Sequence, residues 1–267
     1  MSDDRKQAIR TRIWQESPEA DDPFAVRAAR CRGYDVYGEM LGRARWVEML
    51  YLLFRGEAPS PAAADLLEAL AVALANPGPR DASVHAAMCG GVGGSTAAAC
   101  LMAALAAGAG SLAGGREVFL TMRAWADCGT DLDAWQRRLA SPPAEVASVW
   151  PAAQHPPGFD PNGVRTATTV RQTLACLADN PAAQRLRWLA ETRTALEAAA
   201  GRPLALAGVA AAAFADLGFA AEEGEMLHLL LRLPGAAAHA LEQRAYGYKR
   251  FPFYEIELTD PVTKETP

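Results

Sequence analysis

Paired cysteines are missing from this chain: Cys31, Cys89, Cys100, Cys128 and Cys176 are odd in number, stand apart, and include no Cys-x-x-Cys spacing. That excludes a disulfide framework and a zinc site of the paired-cysteine kind, and predicts reduced, buried thiols packed as small hydrophobes. No metal site is expected. A basic excess is absent too, since 26 Lys and Arg face 31 Asp and Glu for a net charge of −5, so there is no electrostatic reason to expect nucleic acid or an anionic membrane as partner. Long apolar runs are lacking. The stretch from Thr96 to Ala107 is too short and too rich in alanine to span a bilayer, and the start "MSDDRKQAIRTRIW" has no apolar leader core. A soluble, cytoplasmic protein is therefore expected. Aromatic residues are scarce, 7% of the chain, while hydrophobic residues reach 51% largely through alanine. That composition suits helices packed closely through small side chains.

Helix signals fill most of what is present. In "ARWVEMLYLLFRGEAPS", Val47, Leu50, Tyr51 and Phe54 recur at helical spacing, Gly56 offers a C-terminal cap and Pro59 stops the helix. Ser60 then caps a second helix with Pro61 in its first position and Leu66, Leu67, Leu70 and Leu74 as its stripe. "ASVHAAMCGGVGGSTAAACLMAALAAGAG" predicts two alanine-rich helices parted at Gly90 to Gly94. Shorter helices are expected over Glu117 to Asp127 and Leu132 to Leu139, then a proline-rich extended segment from Pro142 to Pro161. Helices follow over Arg165 to Ala178 and over Pro181 to Ala199, the latter capped by Asn180 and Gly201. Long alanine-rich helices return after Pro203. The first forty residues read as an irregular arm with at most a short strand, and the tail "YKRFPFYEIELTD" alternates as an extended segment does.

Several segments, in order, resemble the citrate synthase family, and within it the short citryl-CoA-lyase-like branch. "RGYDVYGEM" followed by "VEMLYLLFRGEAPS" resembles the family's N-terminal signature. "GSLAGGREV" is similar to its Gly-x-Leu-His-Gly-Gly loop, and "WPAAQHPPGFDPNGVRT" to its Pro-Gly-Phe-Gly-His-Pro segment followed by Asp-Pro-Arg. "PLALAGVAAAAFADLGF" resembles the helix that opens Leu-Asn-x-Asp-Gly, and "LLLRLPGAAAHALEQ" the Ala-Arg-x-Gly-x-x-Ala-His helix. The likeness runs from about Thr11 to Asp260. It implies a mainly α, citrate-synthase-like fold, with a large helical domain over residues 1–149 and 204–267, a small helical domain over 150–203, and a dimer.

The family's chemistry is aldol-like. A carboxylate removes a proton beside an acyl-CoA thioester, one imidazole donates a hydrogen bond to the thioester oxygen, and a second polarises the keto-acid carbonyl. Arginines and a further imidazole hold the polycarboxylate. Carried over residue by residue, the resemblance gives mostly absences: Ala113 replaces the loop histidine, Ala207 the aspartate, Ala205 the usual asparagine, and Asn76 or Pro77 a ligand-binding histidine. His155 is the counterpart of the second catalytic histidine, in "PAAQHP" rather than between glycines. Arg232 matches a carboxylate-binding arginine, Arg250 the arginine offered to a neighbouring site across the dimer, and Arg165 an arginine on the CoA side. No covalently bound cofactor is implied, and a coenzyme A thioester is implied as ligand. Asp216 lies about nine residues beyond Ala207, more than ~13 Å along a helix, and Glu117 reads as a helix-end residue. His85, His228 and the His239 and Glu242 pair read as structural.

Two functions stay open on these residues. One is a pseudoenzyme that binds an acyl-CoA or carboxylate, as a homodimer or as the partner of an active paralogue. The other is an active acyl-CoA C–C bond-forming or cleaving enzyme with altered groups, including His155.

Overall fold

The computed structural model describes residues 9–140, 155–252 and 254–257. Pro142, Pro143, Pro151 and the first residues of the expected 150–203 domain, Trp150 to Gln154, lie outside the described residues. The fold is mainly α. Its ten described α-helices are α1 (Trp46–Arg55), α2 (Pro61–Leu74), α3 (Ala82–Val92), α4 (Ala97–Gly108), α5 (Gly115–Cys128), α6 (Leu132–Ala140), α7 (Thr168–Ala178), α8 (Gln184–Ala200), α9 (Leu206–Asp216) and α10 (Ala221–Tyr246).

The arm is more regular than its sequence suggests. An antiparallel meander, β1 (Trp14–Pro18), β2 (Val26–Cys31) and β3 (Tyr34–Asp35), precedes a π-helical turn over Val36–Met40. The register of β1 on β2 shifts between Ser17 and Pro18, because proline cannot donate to the ladder. In the tail, a 3-10 turn over Tyr248–Arg250 interrupts the expected extended run.

Local signals set several helix ends. Gly56 closes α1 in the left-handed region at φ 79°, and Ser60 accepts from the Ala63 N–H ahead of Pro61. Asn180 accepts from the Ala182 N–H at 2.8 Å, yet α8 begins only at Gln184. Its cap comes from elsewhere. Asp216, at the end of α9, accepts the backbone N–H of Arg185 at 2.8 Å and that of Leu186 at 3.0 Å. Burial pushes the Asp216 carboxyl up from its ordinary value, and these N–H groups with the Arg185 side chain oppose the rise. Replacing it, Asp216→Ala, is expected to lower stability by about 1 kcal/mol, measured as a shifted denaturant midpoint with unchanged slope.

The described residues fall into two compact units, one within Met1–Asn76 and Gly108–Arg232, the other within Pro77–Ala107 and Leu233–Pro267. The described residues of the 150–203 segment belong to the first unit. In that unit α9 is buried along nearly its whole length, from Ala207 to Phe214. Alanine at five of those positions lets α5 and α8 pack against it. Trp125 holds Trp135 and Trp188 edge-on, with centroids 4.9 and 5.6 Å away. Tyr51 donates to the Leu217 carbonyl at 3.2 Å.

The second unit has a small core of Val84, Ala87, Met88, Cys100, Ala104, Ala236 and Ala240. Gly90 and Gly91 are helical rather than a break, which falls after α3 at Gly93 and Gly94. A Cβ on Gly91 would sit 2.1 Å from the Ala240 carbonyl oxygen, so close backbone packing overrides the poor helix propensity of glycine. The cysteines also divide. Cys31, Cys100 and Cys128 are buried as expected, whereas Cys89 and Cys176 are exposed. Burial pushes the Cys31 and Cys128 thiols up, which keeps them protonated and unreactive. Among the described residues no helix is long and apolar enough to cross a membrane.

Candidate ligand site

The loop "GAGSLAGG" and the first turn of α5 build one wall of the site. Gly114 precedes the helix, where a Cβ would sit 2.4 Å from the Gly110 carbonyl oxygen and 2.6 Å from that of Gly108, so only glycine closes this turn. Ala113 lies in the left-handed region at φ 53°, uncommon for a residue with a side chain. Both of its backbone polar groups are held by ionisable side chains. Its N–H donates to Glu117 Oε2, and its carbonyl accepts from Arg232 Nη1 at 2.7 Å. The same Nη1 lies 3.0 Å from His228 Nε2, one turn earlier on α10.

Glu117 does more than cap. It is 1% exposed, and its second oxygen, Oε1, accepts the Gly158 N–H at 2.9 Å. His155 Nε2 lies 3.7 Å from that oxygen and has no hydrogen-bond partner among the described residues. Gly158 adopts φ 89°, and its Cβ would meet Thr121 at 3.0 Å and the Gly208 Cα at 3.2 Å. Its carbonyl accepts from the Ala205 N–H at 2.9 Å, and the Asp160 N–H donates to Pro203 at 2.8 Å. Phe159 and Leu204 thus pair antiparallel, and the pairing seats the start of α9 beside the turn.

Ala205 occupies the N-cap of α9 without a side-chain hydrogen bond, a place where asparagine would have capped it. Ala207, 4% exposed in the first turn, carries no group for proton transfer. Asp216 is at the far end of α9 and is committed to α8.

Arg165 lies in a separate cleft of about 610 Å³, lined also by Arg171, Arg193 and Arg202. Arg193 pairs with Glu197 at 2.7 Å and Arg202 donates to the Pro161 carbonyl at 2.9 Å. Glu197 also accepts from the Thr166 hydroxyl and, at 3.1 Å, from the Leu204 N–H. Burial raises its carboxyl, but these hydrogen bonds and Arg193 outweigh it and hold the group below its ordinary value of 4.5. A lowered folded value means the contribution is present above the unfolded value and lost as pH falls through the folded one. The stability advantage of the natural chain over Glu197→Gln is therefore expected at neutral pH and to disappear on acidification below 4.5, read from denaturation at each pH.

The structure thus gathers Ala113, Glu117, His155, Gly158 and Arg232 in the first unit. Arg250 is exposed on the 3-10 turn of the second. Within α10, His239 and Glu242 lie 3.5 Å apart, one turn from each other. His85 stacks at a tilt on Phe251, centroids 6.0 Å apart. Sequence reading missed the company of Arg165, because Arg171, Arg193 and Arg202 lie on or beside two different helices. Among the described residues no group of three or more His, Cys, Asp or Glu is placed to hold a metal ion.

No family model and no curated protein matches the chain. Solved structures do. Citryl-CoA lyase from Hydrogenobacter thermophilus is similar at TM-score 0.72 and 19% identity over 98% of both chains. ATP citrate lyase from Methanothrix soehngenii, solved with citrate and coenzyme A, gives 0.70 and 18%, covering 98% of this chain and 43% of that one. ATP citrate lyase from Methanosaeta concilii, solved with (3S)-citryl-CoA, gives 0.69 and 16%, covering 95% of this chain and 42% of that one. The chain therefore spans nearly the whole of the first and under half of the other two, and its fold is the citrate-synthase-like, citryl-CoA-lyase-like fold.

Proposed function

We propose that this protein is a catalytically degenerate, cytoplasmic relative of citrate synthase and citryl-CoA lyase, a binder of an acyl-CoA or a carboxylate. The observation that carries the reading is Ala113: its turn is held at both backbone groups by Glu117 and Arg232, while the side chain it presents can neither give nor take a proton. Ala207 removes the base from the other wall. A positioned acid or base contributes about 10²–10⁴-fold and an oxyanion donor about 10²–10³-fold, so losing both takes the standard reaction to background.

Binding chemistry persists. In this reading Arg232 meets a carboxylate, and the cleft of Arg165, Arg171, Arg193 and Arg202 meets the phosphates of coenzyme A, since guanidinium forks match phosphate oxygens in pairs. Dimerisation, as a homodimer or with an active paralogue that Arg250 would serve, belongs to the same proposal. The uncharged helix α4, with Met102 exposed, supports it. A second reading, an active enzyme with altered groups, draws on His155, whose buried imidazole faces Glu117.

Calorimetry with coenzyme A beside a turnover assay separates the two. The proposal expects binding without turnover, and binding weakened at least ten-fold by Arg165→Ala with Arg202→Ala. Turnover abolished by His155→Gln would establish the second reading instead.

A further inference from the structure

The tip of the β1–β2 hairpin carries charge that nothing around it answers. Between Pro18 and Val26 stand Glu19, Asp21 and Asp22 with no basic residue, and none of the three forms an ion pair among the described residues. Phe24 beside them is 95% exposed, so its ring touches almost nothing of its own chain. The tip is nevertheless firmly built. The Glu19 N–H donates to the Ala25 carbonyl at 2.9 Å, the Ala25 N–H to the Asp22 carbonyl at 3.3 Å, and the Phe24 N–H to Asp22 Oδ1 at 2.8 Å. A preformed tip loses little freedom on docking.

The arginine cleft has the opposite character. Arg193 is answered by Glu197 at 2.7 Å, whereas Arg165, Arg171 and Arg202 are exposed and form no ion pair among the described residues. Arg171 donates to the Thr168 hydroxyl at 3.1 Å and Arg202 to the Pro161 carbonyl at 2.9 Å, neutral oxygens that leave both charges uncompensated. Val164, on the cleft wall, is 97% exposed. Three unanswered cations and an exposed aliphatic side chain thus share one surface, and three unanswered carboxylates and an exposed ring share another. Both belong to the first unit, and the exposure of Phe24 means that the tip is not seated in the cleft of its own chain.

We infer that the cleft receives the hairpin tip of a second copy of this chain, with Phe24 entering beside Val164 while Glu19, Asp21 and Asp22 meet Arg165, Arg171 and Arg202. The cleft, about 610 Å³, has the size of pockets that enclose small ligands, which is room for one phenyl ring and the carboxylates around it. Removing the ring from water supplies the main attraction, and the opposed charges select the partner and speed the encounter. The contact is small, so it belongs to the transient class, and it joins two different surfaces. It needs only the charge and shape of the cleft. The coenzyme A reading and the α4 dimer can therefore each fail while this contact stands, and the reverse.

Sedimentation equilibrium of the full chain tests it. The weight-average mass of the natural protein is expected to rise with concentration, and to rise less in about 0.5 M salt, where screening acts within roughly 4 Å. Phe24→Ser is expected to weaken this association at least ten-fold, and Val72→Ser, at a 72% exposed position on α2, less than two-fold. Both side chains are on the surface, so neither substitution disturbs the core. Glu19→Lys with Asp21→Lys in one protein, and Arg165→Glu with Arg171→Glu in another, are each expected to lose the contact alone. Mixing the two is expected to restore it, because the natural tip of one then meets the natural cleft of the other. A mixture that associates no more than its separate components overturns the inference. So does a natural chain whose mass is constant with concentration, or whose association is indifferent to Phe24→Ser.

Discussion

Supplying the two groups that the proposed function takes to be lost, Ala113→His with Ala207→Asp, is expected to raise citryl-CoA cleavage by about 10²–10⁴-fold over the natural chain, measured as release of free CoA thiol. The backbone is ready for each. Histidine is among the side chains that tolerate positive φ, and position 113 is exposed and already held at φ 53° by Glu117 and Arg232. Position 207 is in the first turn of α9, where a carboxylate interacts favourably with the free N–H groups and the helix dipole, although its 4% exposure imposes a desolvation cost on the charge. Groups that act as a unit are non-additive. Either substitution alone is therefore expected to give only a small part of the gain, and equal rates for single and double variants would mean that the two positions do not belong to one reacting centre.

A large loss of stability is expected from Gly208→Ala. A Cβ at this position would lie 2.4 Å from the Gly158 carbonyl oxygen and 2.9 Å from a Leu204 methyl. The Leu204 methyl could rotate away, but the Gly158 carbonyl is backbone and has no such freedom. The strain separates α9 from the Gly158 turn and stretches the Ala205 to Gly158 hydrogen bond, now 2.9 Å. Overpacking of this kind costs about 3 kcal/mol, which for a chain of this size lowers Tm by roughly 6–12 °C. A Gly208→Ala protein as stable as the natural one would mean that the approach of α9 to the turn is not as close as described.

Where a feature depended on neighbours in sequence, it was legible. Gly56, Ser60 and Pro61 mark their helix ends by local backbone chemistry, and the structure uses each as read. Features that depend on tertiary partners were not. Asn180 has the residue type of a cap, but Asp216 supplies the cap of α8 from thirty or so residues away. The glycines at 90 and 91 have the composition of a break, and only the Ala240 carbonyl makes sense of Gly91 in a helix. The site behaves likewise. The alanines at 113 and 207 were visible as absences against a family pattern, whereas the second oxygen of Glu117 finds Gly158 at 41 residues' separation and Arg232 finds Ala113 at 119. No spacing rule reaches that far. The β1 to β3 meander is legible only as a short strand because its strands are short and half exposed, without the clean alternation that reveals a strand with one buried face.

On the proposed function, the fold persists in this chain without the chemistry expected of it. Its most direct test is the initial rate of citryl-CoA cleavage, and of acetyl-CoA condensation with oxaloacetate, by the purified natural chain at saturating substrate. The expected result is a rate indistinguishable from the protein-free control in both directions. Turnover of about 1 s⁻¹ or more, within the ordinary enzymatic range, would contradict it.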